Sequence, residues 1–155
     1  MSWLWKLLRL LLIGGTVAAT PATAAPLSAE DSGELIGALI REIMRSEDLQ
    51  SEDWREFSVV FTYQEDVSSV FGYAYDKAGE FTAIAPENGD IDDAAQRFVN
   101  FLQQNHDGKI VSLLVQYNRR SGRYNADFEY DDPQRWAITP DNLDAMTETL
   151  RPRLD

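Results

Sequence analysis

Residues 109–131 read KIVSLLVQYNRRSGRYNADFEYD, two alternating segments joined by a short turn. The first segment, Lys109 to Asn118, is rich in β-branched and apolar residues, and Arg119-Arg-Ser-Gly122 is typical of a hairpin turn. In the returning segment, Arg123 to Asp131, aromatic residues and an alanine alternate with asparagine and acidic residues. Because successive side chains of a strand point to opposite faces, this pattern predicts a strand with one apolar face and one anionic face.

The chain before this hairpin predicts two helices and three strands. Apolar residues at helical spacing indicate a first helix over residues 32–44 and a second helix that begins near Asp92. Between the helices, alternating apolar residues bounded by polar turns predict strands at residues 57–63, 70–75 and 80–85.

The chain after the hairpin predicts one more helix. Asp132-Pro133 ends the last strand, and apolar residues at helical spacing within residues 140–150 indicate the closing helix. The resulting order, α-β-β-β-α-β-β-α, predicts an α+β fold with a mainly antiparallel sheet of about five strands and helices packed on one face. The other sheet face is then expected to be solvated or covered by a partner.

The first 25 residues differ from the rest of the chain. Lys6 and Arg9 precede an apolar run of about ten residues, too short for a membrane-spanning helix, and Ala22-x-Ala24 supplies a signal-peptidase site. We therefore expect residues 1–25 to be a cleaved signal peptide and residues 26–155 to form a single domain. The expected location is the periplasm or the medium, or the cytoplasm if the start codon is misassigned.

The charge of the chain restricts its partners. It has 26 acidic and 14 basic residues and a formal net charge of -12. Signal cleavage would remove Lys6 and Arg9 but no acidic residue, which changes this charge to -14. Such a field repels polyanions, so nucleic acid is not an expected partner, whereas a basic protein would be attracted. High acidity also serves solubility, so charge alone does not identify a partner.

The sequence offers few residues for catalysis. It has no cysteine, and its single histidine, His106, lies in the turn sequence Asn-His-Asp-Gly. No serine stands in a G-x-S-x-G motif, and neither a glycine-rich phosphate loop nor an H-E-x-x-H motif occurs. We therefore predict a protein that is not an enzyme and uses no cofactor.

The anionic face of the last strand is the candidate site. Neighbouring carboxylates of this kind could bind a hard cation or carry out acid–base chemistry. Because like charges on one face repel each other, they could also receive a cationic partner surface, or be solvated beside arginines of the neighbouring strand. Trp136 is predicted to be an exposed anchor beside them. The predicted partner-binding residues are Asp127, Glu129, Asp131, Asp132 and Trp136, with no metal ligand among them.

The segment YNADFEYDDP at residues 124–133, preceded by a strand and the turn Arg-Ser-Gly122, resembles the signature of the YezG-like immunity family. Trp54 before the strand at residues 57–63 is also similar to that family. The resemblance extends from about residue 34 to residue 150. It implies an antitoxin that binds and neutralises a cognate polymorphic toxin, often a nuclease. It implies no catalytic residue, and only the acidic residues of the motif are candidate contacts.

The leading hypothesis is therefore an exported, immunity-like protein that binds a basic toxin domain. Members of the YezG-like family are expected in the cytoplasm, so an export signal argues against a nuclease as the target. Two alternatives stay open. One is an exported cation-binding protein or envelope enzyme built on the same carboxylates, and the other is an accessory periplasmic domain.

Overall fold

The computed structural model describes residues 29–51, 53–64, 67–104 and 108–155. Within them, five strands form one antiparallel sheet in the order β3-β2-β1-β4-β5. This arrangement confirms the predicted α+β class. The elements are α1 Ala29–Met44, β1 Trp54–Gln64, β2 Val67–Asp76, β3 Phe81–Ile84, α2 Gly89–Gln103, β4 Ser112–Asn118, β5 Tyr124–Glu129 and α3 Leu143–Thr149.

The order of the strands follows from the hairpin turns and from the long-range pairing of β1 with β4. β1 pairs with β2 in the first hairpin, and β4 pairs with β5 in the second. Gly79 and Gly122 have positive φ angles of 83° and 70° in the turns that lead into β3 and β5. The two hairpins join through β1 and β4, which pair antiparallel with Val59 opposite Val115.

The first face of the sheet carries the larger core. Alternate residues of β1, Phe57, Val59 and Phe61, point to this face and are fully or almost fully buried. They pack in one apolar cluster with α1 and α2, whose buried residues recur at helical spacing. The side chain of Asn88 begins α2, because its Oδ1 accepts a hydrogen bond from the Ile91 N–H at 2.9 Å.

The second face is not open, and here the structure differs from the sequence-based expectation. Val60 and Leu114 point to this face and are buried beneath Trp136, Met146 and Leu150. Thus α3 and the segment before it lie opposite α1 and α2. The physical reason is that β1 and β4 are apolar on both sides at their centres, so both faces must be covered.

Polar contacts fasten the C-terminal segment to this second face. The Tyr75 hydroxyl donates to the Thr147 carbonyl at 2.8 Å, and Gln116 Nε2 donates to the Leu150 carbonyl at 2.8 Å. The Ser58 hydroxyl donates to the same Leu150 carbonyl. Burial raises the pKa of Tyr75, which therefore keeps its proton and remains a hydrogen-bond donor.

Several predicted boundaries shift. β1 starts at Trp54 and ends at Gln64, so it is longer than predicted, whereas α3 starts at Leu143 and is shorter. A single 3₁₀ turn, Glu47–Leu49, lies in the segment predicted to be a loop. The predicted signal peptide and His106 lie outside the described residues. In the part of the chain that is described, no helix has the length and apolar character needed to cross a membrane.

Candidate functional site

The acidic residues of the last strand form a corner at one edge of the sheet. β5 is an edge strand, and its Asp127 and Glu129 lie on the second face, opposite Leu114 and Ser112 of β4. The chain then turns at Tyr130, and Asp131 and Asp132 follow in this turn. We call Asp127, Glu129, Asp131 and Asp132 the acidic corner.

Glu129 is the buried member of the acidic corner, with 6% of its surface exposed. Its Oε1 accepts hydrogen bonds from the backbone N–H groups of Tyr130, Asp131 and Asp132, at 3.1, 3.0 and 3.3 Å. Burial by itself would raise the pKa of Glu129, but these three bonds and the charge of Arg135 outweigh it and hold the pKa below its ordinary value. The side chain is therefore ionised at neutral pH and organises the turn that follows.

Arg135 pairs with two members of the acidic corner and compensates one of their two negative charges. Its Nη2 lies 2.9 Å from Asp127 Oδ2, and its Nη1 lies 3.3 Å from Glu129 Oε2. The guanidinium also lies over the Trp136 ring, 4.5 Å from the ring centroid. These contacts come from within the chain, so Asp127 and Glu129 are not the unpaired carboxylates that the sequence suggested.

Asp131 and Asp132 are the exposed members of the acidic corner. Asp132 Oδ1 accepts a hydrogen bond from the Gln134 N–H at 2.9 Å, which shapes the turn. No ion pair to either carboxylate is seen among the described residues. Among these same residues, no group of three acidic or histidine side chains is arranged to hold a metal ion. Asp131 and Asp132 are therefore the members of the acidic corner whose exposed charge has no ion pair among the described residues, whereas Asp127 is 42% exposed at its side chain but paired with Arg135.

Trp136 is not the exposed anchor that the sequence predicted. Only 5% of its surface is exposed, and it packs in the second-face cluster with Leu114 and Met146. The residues after Asp132 fold back across the second face of the sheet, and the Trp136 indole packs against that face. Trp136 therefore contributes to stability and cannot contact a partner directly.

The geometry gives little support to acid–base chemistry at the acidic corner. A pair of carboxylates that works as acid and base needs one member that holds a proton near neutral pH, which requires a raised pKa. The pKa of Glu129 is lowered instead, and both Asp127 and Glu129 form ion pairs with Arg135.

Sequence reasoning missed a second charged surface at the opposite end of β5. A groove of about 550 Å³ is lined by one tryptophan and four basic residues, Trp54, Arg55, Lys77, Arg119 and Arg120. We call it the basic groove. It is assembled from the start of β1, the β2–β3 turn and the β4–β5 turn. The signal in the sequence was the pair Arg119-Arg120 in a turn, which gains meaning only once β1 is placed beside β4.

Contacts with neighbouring groups hold two cations of the basic groove, Arg55 and Arg119, in place. The Arg119 guanidinium lies over the Trp54 ring at 4.9 Å from the centroid. The Arg119 backbone N–H donates to the Arg55 carbonyl at 2.9 Å. Arg55 Nη2 also pairs with Asp155 Oδ1 at 2.7 Å. Trp54 itself is buried, and its Nε1 donates to the Leu49 carbonyl at 3.1 Å, which orients the indole at the groove.

The fold and these two surfaces define a small α+β protein with an acidic corner and a basic groove at opposite ends of its last strand. A comparison with models of known protein families gives no match. A comparison with curated proteins gives no match either. The YezG-like resemblance therefore stays a hypothesis that rests on residues 124–133 and on Trp54.

Proposed function

We propose that this protein is a non-enzymatic, immunity-like binding protein that docks a basic protein partner on its acidic corner. The observation that carries the proposal is the buried carboxylate of Glu129, which accepts three successive backbone N–H groups. This arrangement fixes the turn in which Asp131 and Asp132 are exposed. A charged surface that is already ordered loses little conformational entropy when a partner binds.

The electrostatics of the chain favour a basic partner. Two adjacent exposed carboxylates repel each other, and lysine or arginine side chains of a partner would relieve that repulsion. The formal net charge, -12 for the full chain and -14 after signal cleavage, adds an attractive long-range field. Arg135 reduces the contribution of Asp127 and Glu129, so the docking surface is narrower than the five residues predicted from the sequence.

The resemblance to YezG-like immunity proteins supports a toxin domain as the partner. The matching segment, residues 124–133, comprises β5 and the turn that Glu129 orders. The location proposed from the sequence is the periplasm or the medium. It is tested by mass spectrometry of the protein from its native host, where we expect an N-terminus near residue 25. A full-length chain in the cytoplasm would contradict export.

The partner is tested first by genetics and then by kinetics. We expect the reading frame beside this gene to encode a protein with a toxic C-terminal domain, and co-expression of this chain to abolish the toxicity. Association of the two purified proteins is then measured at low and at physiological salt. The Asp131→Asn, Asp132→Asn double variant should slow association by about five- to tenfold at low salt, because local steering is lost.

A matched variant separates local steering from net charge. Glu34→Gln with Asp93→Asn removes two exposed carboxylates of α1 and α2 and changes the net charge equally. This control should slow association much less than the variant of the acidic corner. Equal rates for the two variants would contradict docking at the acidic corner.

The cation-binding alternative has a direct test. Arg135 already occupies the oxygens of Asp127 and Glu129 that a cation would need. We therefore expect calorimetric titrations with calcium, magnesium and zinc ions to give no saturable heat. A saturable signal that disappears in Asp127→Asn would support the alternative instead.

A further inference from the structure

The basic groove concentrates positive charge in a protein whose overall charge is strongly negative. Of the five described residues that line it, four are cationic and none is acidic. We propose that the basic groove is a binding site for a small phosphate-bearing ligand. This inference goes beyond the proposed function, because it concerns a different surface and a different class of ligand.

The topology of the sheet brings these cations together. Trp54 pairs with Asp76 where β1 begins and β2 ends, so Lys77 follows directly in the adjacent turn. Glu56 pairs with Asn118 where β4 ends, so Arg119 and Arg120 follow on the other side of β1. Three separate chain segments thus converge on one end of the sheet. Positive charges that line one groove repel each other, and an anion bound between them would reduce this repulsion.

The arginines of the basic groove are arranged to bind an oxyanion. Stacking on Trp54 holds the Arg119 guanidinium in one plane at the basic groove. In addition, Arg55 Nε is buried and has no hydrogen-bond partner in the described part of the chain. A guanidinium pairs with oxyanions through its remaining N–H donors, and Arg55 already does so through Nη2 with Asp155.

Asp155 shows that this end of the sheet accepts oxyanions. Its carboxylate pairs with Arg55 at 2.7 Å, and its main-chain oxygen accepts a hydrogen bond from Arg123 Nη1 at 2.8 Å. Asp155 does not line the basic groove, so the groove itself is not filled by this contact. A volume of about 550 Å³ suits a small molecule. A long polyanion is disfavoured, because the net charge of -12 would repel the part outside the groove.

The proposal is tested with inorganic phosphate, pyrophosphate and citrate at constant ionic strength. Binding is followed by calorimetry and by the NMR signals of the Trp54 indole N–H and the backbone amides of Arg119 and Arg120. We expect saturable binding of pyrophosphate and weaker binding of phosphate, because phosphate has fewer charges. Citrate, a carboxylate of similar charge, is the comparison for the class of ligand and should bind more weakly than pyrophosphate.

Two double variants make the test specific. Lys77→Gln with Arg120→Gln removes two exposed cations of the groove, and the Arg120 backbone N–H can still donate to Asn118 Oδ1. This variant should weaken pyrophosphate binding about tenfold. Arg41→Gln with Arg97→Gln removes two exposed cations of α1 and α2 and should leave binding within about twofold of the original.

Three results would overturn the proposal. The first is no saturable binding of pyrophosphate, and the second is equal weakening in both double variants, which would reflect net charge alone. The third is tighter binding of citrate than of pyrophosphate, which would indicate a carboxylate ligand. The outcome is independent of partner docking, since the groove variant keeps Asp131 and Asp132 and should associate with a basic partner at the original rate or faster.

Discussion

At the scale of single residues, Glu129 connects stability with the candidate site. Its carboxylate satisfies three backbone donors of the following turn and pairs with Arg135. The sequence predicts that the Glu129 carboxylate binds a partner, whereas in the structure this carboxylate binds groups of its own chain. The alternation in a strand does not show which carboxylate is buried. That depends on the turn after β5, which brings Arg135, six residues further on, back to Glu129.

The first prediction concerns the charge of Glu129. Glu129→Gln should lower the free energy of unfolding at pH 7 by about 1–3 kcal/mol, because charge-assisted bonds become weaker and Arg135 loses part of its compensation. Urea unfolding measures this change. Asp131→Asn is the control and should stay within about 0.5 kcal/mol of the original protein. Equal stability of the original protein and Glu129→Gln would contradict the organising role of Glu129.

The second prediction is the pH dependence of the same residue. The pKa of Glu129 is lower in the folded chain than its ordinary value of 4.5. Its stabilising contribution is therefore complete above pH 4.5 and is lost as the pH falls through the lowered, folded-state pKa. The stability difference between the original protein and Glu129→Gln should be constant near neutrality and should shrink below about pH 4.5. Unfolding measured from pH 7 to pH 3 checks this, and a difference that grows on acidification would contradict the lowered pKa.

At the scale of elements, residue periodicity did not show which segment covers the second face of the sheet. The stretches Val59-Val60-Phe61 and Leu113-Leu114-Val115 are apolar on consecutive positions, so they have two apolar faces and not one. This was the local sign that a second layer exists. Which segment supplies that layer depends on tertiary packing, and the structure assigns it to residues 136–150.

The third prediction tests this second layer. Trp136→Ala should destabilise the protein by about 3–5 kcal/mol, because a large buried side chain is removed and a cavity remains. Leu143→Ala is the control, since Leu143 is 43% exposed and its truncation should cost well under 1 kcal/mol. Thermal or urea unfolding distinguishes the two. If Trp136→Ala left the stability unchanged, the result would contradict the burial of Trp136 and support the exposed anchor that the sequence predicted.

At the scale of the whole molecule, two features stand out. The charges are separated along β5, whose five residue steps span roughly 17 Å, with the basic groove before its first residue and the acidic corner at its far end. The two cores share β1 and β4, which contribute alternate side chains to each. Because the same strands hold both layers, neither core should persist when the other is lost.

The fourth prediction follows from the shared strands. Trp54 lies in the first-face core and Trp136 in the second-face core, so each tryptophan reports on one layer. In a chain without residues 1–25, which removes Trp3 and Trp5, Trp54→Phe and Trp136→Phe each leave one reporter. In each variant, the fluorescence midpoint for urea unfolding should coincide with the midpoint from far-UV circular dichroism. Midpoints that separate would indicate two independent cores.

The sequence by itself determined the elements and the class of fold. The alternation in residues 109–131 predicted the β4–β5 hairpin, and helical spacing predicted α1, α2 and α3, because periodicity and turn residues are local properties. Only the tertiary structure decided the surfaces. It placed Arg135 on Asp127 and Glu129, buried Trp136, and gathered Trp54, Lys77 and Arg119 into one groove. Contacts between residues that are distant along the chain depend on how the layers pack, and that information is not carried by local pattern.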